Sequence, residues 1–264
     1  MKLLSCEELE FSYNGNPFIS DFNLEVDEND FISVIGRNGS GKTTLIKLIC
    51  GLISNYGGNI YLHSDDIRNI NRRKIAKILS YLPQYGVPMF SEMKVRDFIL
   101  LGRYSSKGNI QFSYSSEDKD IAGKSLEILK IENLRNKNLN ELSGGERQKV
   151  LIALTLVQLN ITTDLKEKIL VIDEPLTYLD INHQIEIFEL LRSLNSDKNL
   201  TIIVITHDLN LAMKYTKNSL LLDGGKNCGY GKSSEIINPD ILRKHFLVNS
   251  RIVSINNYNQ IHYN

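Results

Sequence analysis

Apolar and polar residues alternate along the first 35 positions, and turn-forming residues cluster at 14–17 and 27–30. Alternation with a period of two is typical of strands that bury one face. We therefore predict antiparallel strands in this region, and we assign residues 57–62 to another strand of the same layer.

Continuous apolar runs also predict strands, at residues 31–35, 78–82, 169–172, 201–205 and 220–222. Between the third and fourth runs, four apolar residues share one helical face: Ile185, Phe188, Leu191 and Leu194. A helix between two strands is typical of a parallel-sheet crossover, so the pattern predicts an α/β fold.

The middle of the chain has few strand-like runs and several helical ones, such as residues 95–101 and 121–129. A loop rich in Ser, Gly and Asn lies at residues 104–116. We interpret this region as a helical subdomain, and the pattern of the Asn-rich tail leaves its structure open. Within a single domain at 1–264, the predicted division is a core at 1–85 and 158–245, the helical subdomain at 86–157 and the tail at 246–264.

The charge balance gives no support for a nucleic-acid partner. The chain has 31 basic and 31 acidic residues, which gives no electrostatic basis for binding nucleic acid.

Its three cysteines are far apart, which indicates a reducing compartment without disulfides or a zinc site. No stretch approaches the roughly 20 apolar residues of a membrane-spanning helix. We therefore expect a cytoplasmic protein that reaches a membrane only through a partner.

Residues 36–43 read Gly-Arg-Asn-Gly-Ser-Gly-Lys-Thr and match the phosphate-binding pattern G-x-x-x-x-G-K-[ST]. A loop between a strand and a helix can direct several backbone N–H groups at one anion. Lys42 would place its charge at the β- and γ-phosphates, and Thr43 would offer an oxygen to Mg²⁺. The alternative is an ordinary glycine-rich turn, but the flanking strand and helix favour a nucleotide. The predicted binding residues are Gly36, Asn38, Gly39, Ser40, Gly41, Lys42, Thr43 and Thr44.

Two carboxylates, Asp173 and Glu174, follow the apolar run at 169–172. Ligands of open parallel sheets lie beyond the carboxyl ends of the strands, so we expect both acids near the phosphates. Asp173 is then placed to hold Mg²⁺ and Glu174 to polarise an attacking water. On their own, the two acids would be read equally well as the solvated end of a strand.

Residues 142–148 predict a helix start, in which Ser143 and Glu146 form a capping box. Gly144 and Gly145 weaken the first turn by about 1 kcal/mol each relative to alanine. Close approach of an anion would justify both glycines, so Ser143, Gly144 and Gly145 are predicted to form a second phosphate-binding surface. One nucleotide seldom needs two such surfaces from one chain, which indicates that this surface caps a nucleotide on another copy.

In these three motifs the chain resembles the ATP-binding subunits of ATP-binding-cassette (ABC) transporters. Residues 36–43 match the Walker A motif of that family, 169–174 its Walker B motif and 142–148 its signature motif. The resemblance extends over residues 11–246. It implies a P-loop NTPase (RecA-like) core with an N-terminal antiparallel β layer and an inserted α-helical subdomain. It also implies ATP hydrolysis with Mg²⁺ in a head-to-tail dimer that holds two ATP molecules.

The resemblance gives four further residues a role. Tyr13 stands where the family stacks an aromatic ring on adenine, although a tyrosine on a sheet face is the alternative. Gln84 matches the Q-loop, Asp180 the D-loop that crosses the dimer, and His207 the switch histidine at the γ-phosphate. The implied catalytic residues are Glu174, His207, Gln84 and Lys42, and the implied metal ligands are Thr43, Gln84 and Asp173.

Three stretches are similar to importers of iron–siderophore, haem and cobalamin chelates, namely residues 95–104, 179–184 and 207–212. An apparent insertion at 161–168 is similar to one in some haem and cobalamin members. The similarity implies a separate membrane permease, which residues 87–103 would contact, and an external substrate-binding protein. The chain itself would lie at the cytoplasmic face of the membrane.

Two residues depart from the family pattern, Leu176 and Asn29, and asparagine tolerates the left-handed conformation that a turn requires at the second position. Two other functions stay open at this point. One is a non-transport ABC ATPase such as a cofactor-assembly scaffold, and the other is an exporter subunit. The sequence does not assign the cargo, because cargo binds the permease and the binding protein.

Overall fold

The structure is a computed structural model that describes residues 1–84, 92–106, 113–175, 179–255 and 258–263. Several predictions fall outside these ranges, wholly or in part. They concern the loop at 104–116, the permease-facing stretch at 87–103 and Leu176. None of the helices in the described ranges combines the length and the apolar character needed to cross a bilayer.

The strands within the described residues are β1 (Lys2–Tyr13), β2 (Asn16–Asp27), β3 (Phe31–Ile35), β4 (Gly57–Leu62), β5 (Asp65–Asp66), β6 (Leu79–Leu82), β7 (Ile169–Asp173), β8 (Thr201–Ile205), β9 (Asn218–Asp223), β10 (Lys226–Lys232), β11 (Ser250–Ile255) and β12 (Tyr258–Tyr263). The α-helices are α1 (Lys42–Ile49), α2 (Arg72–Ile78), α3 (Val95–Leu100), α4 (Ser116–Ile128), α5 (Gly144–Leu159), α6 (Ile181–Lys198), α7 (Leu209–Tyr215), α8 (Ser233–Ile236) and α9 (Pro239–Ile241). Short 3₁₀ helices occupy Ile67–Asn69, Leu101–Ser106, Glu132–Leu134 and Leu139–Glu141, and a π-helical turn spans Leu242–Phe246.

The chain forms two compact units, the first made of Met1–Ile70 and Thr201–Asn264 and the second of Asn71–Leu200. The boundaries predicted for the core and the helical subdomain stay a prediction. In the first unit, β2, β1, β4 and β5 form an antiparallel sheet in that order. The predicted antiparallel layer is therefore present, and Asn29 adopts the left-handed conformation with φ 59° in the turn before β3.

The prediction that antiparallel strands continue through residue 35 is wrong for β3. This strand pairs in parallel with β8 on one side and β9 on the other. All five of its residues are buried, which is typical of parallel strands covered on both faces. A strand that sequence analysis missed, β10, pairs antiparallel with β9. The α/β class with an antiparallel layer is confirmed.

The tail, whose structure the sequence left open, forms a hairpin in which β11 and β12 pair antiparallel. Ile261 of β12 is 5% exposed and belongs to an apolar cluster in the first unit. The other buried members of this cluster are Ile35, Leu209, Ala212, Leu221, Ile237 and Leu242. The tail is thus part of the core of this unit.

The second unit contains the parallel pair β6–β7 and the helices α2 to α6. The predicted helix between residues 172 and 201 is α6, and it buries Phe188, Leu191 and Leu194 as expected. Ile185 is only half-buried, and Ile187 is buried in its place. Which of the isoleucines at positions 185 and 187 is buried depends on the elements that pack against α6. Hydrophobic periodicity along the chain does not identify those elements.

A buried ion pair lies in the helical region of the second unit. Arg103 Nε donates to Asp118 Oδ1 at 2.8 Å, and the two side chains are 9% and 12% exposed. Burial by itself raises the pKa of Asp118, but hydrogen bonds from Arg103 and Ser115 outweigh it and hold the pKa below its usual value. The pair therefore stabilises the fold above the ordinary carboxyl pKa and loses this contribution as the pH falls through the lowered one.

Replacement of Arg103 by leucine leaves the Asp118 carboxylate buried without its cationic partner. We expect the free energy of unfolding, measured by urea denaturation at pH 7, to fall by about 3 kcal/mol. Arg96→Leu is the matched control, because its ion pair with Asp97 is exposed and should contribute less than about 1 kcal/mol. Equal losses for the two variants would contradict the assignment of a buried structural pair.

Candidate nucleotide site

The phosphate loop connects β3 to α1, and glycine is required at two of its positions. Gly36 has φ 150°, and a Cβ there would lie 2.2 Å from the backbone oxygen of Leu222. Gly41 caps α1 in the left-handed region with φ 106°. The loop can therefore turn sharply from strand to helix, which leaves the first N–H groups of α1 directed out of the helix end.

Polar atoms cluster on this loop. Lys42 is buried, and its Nζ donates to the backbone oxygens of Gly36 at 2.8 Å and Arg37 at 3.0 Å. Ser40 Oγ is also buried and has no hydrogen-bond partner among the described residues. An ammonium group, a hydroxyl group and the start of a helix are donors that suit an anionic phosphate chain.

The turn between β9 and β10 supports the phosphate loop, and sequence analysis did not identify this contact. Gly225 N donates to Ser40 O at 3.0 Å. A Cβ on Gly225 would lie 1.6 Å from the backbone oxygen of Phe18, so only glycine fits. The sequence signal is the Asp-Gly-Gly run at residues 223–225, which predicts a turn after the apolar run at 220–222 but does not indicate what the turn contacts.

Tyr13 lies at the end of β1 and is 47% exposed. Its hydroxyl is 3.1 Å from Thr44 Oγ1 in α1, and its ring contacts Phe11 and Phe18 edge-on at centroid distances of 4.7 and 5.2 Å. The contact places an aromatic ring beside the first turn of the phosphate-loop helix. Stacking on adenine stays a prediction.

His207 follows the carboxyl end of β8, and the phosphate loop follows the carboxyl end of β3. These strands are parallel neighbours, so both segments leave the same edge of the sheet. The residues around His207 are fixed: Thr206 N donates to Val34 O at 3.4 Å, and Asp208 N donates to Thr206 Oγ1 at 3.1 Å. The first unit thus places Tyr13, the phosphate loop and His207 on connected elements.

In the second unit, the ends of β6 and β7 bring four polar residues together. Tyr81 donates its hydroxyl hydrogen to Asp173 Oδ2 at 3.3 Å, and Gln84 Nε2 donates to Glu174 Oε2. Asp173 is 1% exposed. Glu174 has φ 50°, a conformation that costs a non-glycine residue about 1–3 kcal/mol and is concentrated at functional sites. The interaction between Gln84 and Glu174 was not predicted.

The predicted capping box at the start of α5 is present. Ser143 N donates to Glu146 Oε2 at 2.9 Å, and Glu146 N donates to Ser143 Oγ at 3.2 Å. The hydrogen bond from the Ser143 backbone is the largest effect on Glu146 and lowers its pKa. Burial alone would raise this pKa, and a hydrogen bond from Lys137 lowers it further. Glu146 therefore stays ionised at neutral pH and holds the helix start in place.

Packing within the chain limits the side chain at one of the two glycines that follow Ser143. Gly145 is buried, and a Cβ there would lie 2.1 Å from Cδ2 of His183 in α6. This contact accounts for a glycine at position 145, and binding of an anion by its backbone stays a prediction. Gly144 is exposed, as is Ser143, so these two residues remain available at the helix start.

Asp180 caps α6 through a hydrogen bond from His183 N to its Oδ1 at 2.9 Å, and the same oxygen is 2.9 Å from His183 Nδ1. Both interactions lower the pKa of Asp180, and the hydrogen bond from the His183 backbone has the larger effect. His183 therefore links Asp180 to Gly145, a connection that sequence analysis missed. The second unit thus holds Gln84, Asp173 and Glu174 in one group and Ser143, Gly145 and Asp180 in another.

A family model described as ABC transporter matches residues 19–177, more than half of the sequence. The chain belongs to the ABC transporter family. Its three motifs are accordingly the Walker A, signature and Walker B motifs of an ATP-binding cassette, and the protein is an ATPase. Membership of this family implies that the chain binds ATP.

Curated relatives match this ABC ATPase over nearly their full length. The iron(3+)-hydroxamate import ATP-binding protein FhuC of Bacillus subtilis is 32% identical over 96% of this chain and 91% of its own. The ferric enterobactin transport ATP-binding protein FepC of Escherichia coli is 28% identical over 95% of this chain and 89% of its own. A solved transporter, assigned in its description to the metal-chelate type, superposes with a TM-score of 0.83 at 25% identity, covering 100% of this chain and 97% of that one.

We expect Gly145→Ala to weaken the fold around the signature motif, because the added methyl group would overlap the His183 ring. Overpacking of this kind costs on the order of 1–3 kcal/mol in urea denaturation. Gly144→Ala, at an exposed position whose nearest contact is 3.4 Å, should cause no loss. Removing the ring with His183→Ala should restore the stability of Gly145→Ala, and failure of this rescue would contradict the packing explanation.

Proposed function

We propose that this ABC ATPase drives the import of an iron–siderophore, haem or cobalamin-type chelate through a separate membrane permease. The observation that carries the proposal is the agreement among relatives. FhuC and FepC, which are named for the transport of iron chelates, match the chain along almost its whole length. These names favour import over the exporter and the cofactor-assembly alternatives.

In the proposed site, Lys42 and the N–H groups of residues 36–44 bind the phosphates of ATP. Lys42 already lies on the loop with its ammonium group against two carbonyl oxygens, so a short side-chain movement would exchange these acceptors for phosphate oxygens. Ser40 Oγ supports this assignment, because a buried hydroxyl group is costly without a partner. Asn38 and Gly39 belong to the same loop and Tyr13 would stack on the adenine ring.

Mg²⁺ fits the chemistry of the proposed ligands, since Thr43, Asp173 and Gln84 all present oxygen atoms, which this ion prefers. Bound there, the ion would supply neutralisation of the charge that develops on the phosphates. The very low exposure of Asp173 suits a carboxylate that interacts with a cation rather than with bulk water.

We assign Glu174 the role of polarising the attacking water, with Gln84 and His207 beside the γ-phosphate. The hydrogen bond from Gln84 holds the Glu174 carboxylate in one orientation, and its left-handed backbone fixes the direction of the side chain. An oriented carboxylate can accept a proton from water while the surrounding charges stabilise the phosphoryl group. The side chain is half-buried, so water can reach it.

A second copy of the chain completes the proposed site. Ser143 and Gly144 are exposed at the start of the 16-residue helix α5, which presents N–H groups and a positive dipole end. They would contact the γ-phosphate of ATP bound to the Walker A motif of the partner, and Asp180 would cross the same interface. Since both copies contact one triphosphate, ATP would close the dimer and hydrolysis would reopen it.

The remaining partners follow from this transport role. The dimer would be held at the cytoplasmic face of the membrane by permease subunits, and an external substrate-binding protein would deliver the chelate. No contact with nucleic acid is part of the proposal. The identity of the chelate would be decided by the permease and the binding protein.

We predict that Glu174→Gln lowers kcat for ATP hydrolysis roughly 10²–10⁴-fold while the Kd for Mg-ATP changes little, because the amide cannot accept a proton from water. Steady-state phosphate release and equilibrium nucleotide binding measure the two quantities. Glu117→Gln, at an exposed position of α4, is the matched control and should leave both unchanged. Normal turnover by Glu174→Gln would remove this residue from its assigned role.

Transport is tested in the cell that makes the protein. Replacing the chain by its Glu174→Gln variant should abolish energy-dependent uptake of a radiolabelled iron–siderophore, haem or cobalamin-type chelate, and the Glu117→Gln control should not. If ATP hydrolysis is lost while uptake of each chelate class continues at the normal rate, the chain is an ABC ATPase with another cargo or direction.

A further inference from the structure

The C-terminal hairpin is attached to α7, the helix that begins two residues after His207. Asn210, in the first turn of α7, accepts a hydrogen bond through its Oδ1 from the backbone N–H of Ile261 at 2.7 Å. Asn210 is half-buried, and Ile261 lies in the middle of β12 and is 5% exposed. A side-chain amide thus holds the last strand of the hairpin against the start of this helix.

Apolar packing supports the same attachment. Ile261 belongs to the cluster that contains Leu209 and Ala212 of α7 and Ile35 at the end of β3. Ile35 is the residue immediately before Gly36, the first glycine of the Walker A motif. The hairpin therefore packs into the apolar cluster that includes the start of α7 and the last residue before the phosphate loop.

The start of α7 fixes the backbone that follows His207. Asp208 is the N-cap, and its Oδ1 accepts a hydrogen bond from Leu211 N at 2.9 Å. On the other side of His207, Thr206 is bonded to β3 through its backbone. Any rotation of α7 is transmitted to Asp208, one residue from His207, because the cap moves with the helix.

The end of β12 is close to this cap as well. Burial raises the pKa of the Tyr263 phenol, and the negative charge of Asp208 adds a smaller effect in the same direction. Helix α7 has only seven residues, and a helix this short is not stable by itself, so its orientation depends on what packs against it. An isolated two-stranded hairpin is likewise only marginally stable in water, so its stability also depends on what packs against it.

We propose that the C-terminal hairpin is a positioning element for His207, acting through the contact of Ile261 with Asn210 and with the apolar residues of α7. Asn210 and Ile261 are then positioning residues for ATP hydrolysis rather than catalytic ones. The inference rests on the role assigned to His207 under the proposed function. In this proposal the tail contributes to ATP hydrolysis and does not contact the membrane partner.

The experiment is a double-mutant cycle on the full-length chain. Asn210→Leu removes the acceptor with little change in size, and it should lower kcat for ATP hydrolysis roughly tenfold without changing the Kd for Mg-ATP, since misplacement of a catalytic group by about 1 Å has effects of this order or larger. Asn210→Asp keeps an acceptor oxygen and should retain near-normal kcat. Gln260→Leu, at an exposed position of the same hairpin, is the matched control and should change neither quantity.

The second arm of the cycle repeats Asn210→Leu in a His207→Ala background. If the hairpin acts through His207, Asn210→Leu causes no further loss of kcat there. Equal tenfold losses in both backgrounds, or no loss in either, would overturn the inference. If His207→Ala itself leaves kcat unchanged, the assignment of His207 fails, and that result is distinguishable because it does not depend on residue 210.

Thermal unfolding separates this role from a general loss of structure. Asn210→Leu and Gln260→Leu are compared at a temperature well below both midpoints, and the predicted kcat difference should persist there. If Asn210→Leu does not fold, Ile261→Val replaces it, because loss of one methylene group in the buried cluster is a milder change. A fall in kcat that tracks the loss of folded protein in Ile261→Val would likewise overturn the proposal.

Discussion

Close approach of one backbone to another is the constraint on which the nucleotide site depends. At Gly36 and at Gly225, the main chain passes so near to carbonyl oxygens of Leu222 and Phe18 that any Cβ would overlap them. These contacts, and the hydrogen bond from Gly225 N to Ser40 O, restrict the conformations that the phosphate loop can adopt. A loop whose backbone is held in this way would lose less entropy on binding the proposed nucleotide.

In the second unit, hydrogen bonds and side-chain packing also hold the polar residues assigned to the site in fixed orientations. Glu174 has a strained backbone and a hydrogen bond from Gln84, and Ser143 is held by a reciprocal cap with Glu146. His183 fills the space left by Gly145 and also contacts Asp180, so the signature helix and the start of α6 are fixed to each other. Polar residues assigned to the site are therefore already oriented by their neighbours, which lowers the reorganisation required during hydrolysis.

The three motifs can be recognised in the sequence because each has a local physical cause. A glycine-rich turn before Lys42, a capping box at Ser143 and an apolar strand before Asp173 can all be recognised within a few residues. Contacts between distant segments were missed: β3 pairs in parallel, Gly145 packs on His183, and Gly225 supports Ser40. Hydrophobic periodicity carries no information about which remote residue fills a given space, so these features required the structure.

The tail shows this limit most clearly. Its Asn-rich sequence has weak alternation, and only the contacts of Ile261 and Asn210 reveal that it forms a hairpin joined to the core. Local propensity is a weak guide for strands, because packing against neighbours decides whether they form. A segment with little sequence signal can therefore still contribute to the folded core.

The most direct test of the account is functional complementation between two inactive variants. Lys42→Ala disables the phosphate loop and Ser143→Arg blocks the signature surface, so each homodimer should be inactive. In a mixed dimer, one site would combine the intact phosphate loop of one copy with the intact signature motif of the other. We predict that mixing the purified variants with Mg-ATP restores ATP hydrolysis. Absence of any recovery, although mixed dimers are detected by mass spectrometry, would contradict a site shared between two copies.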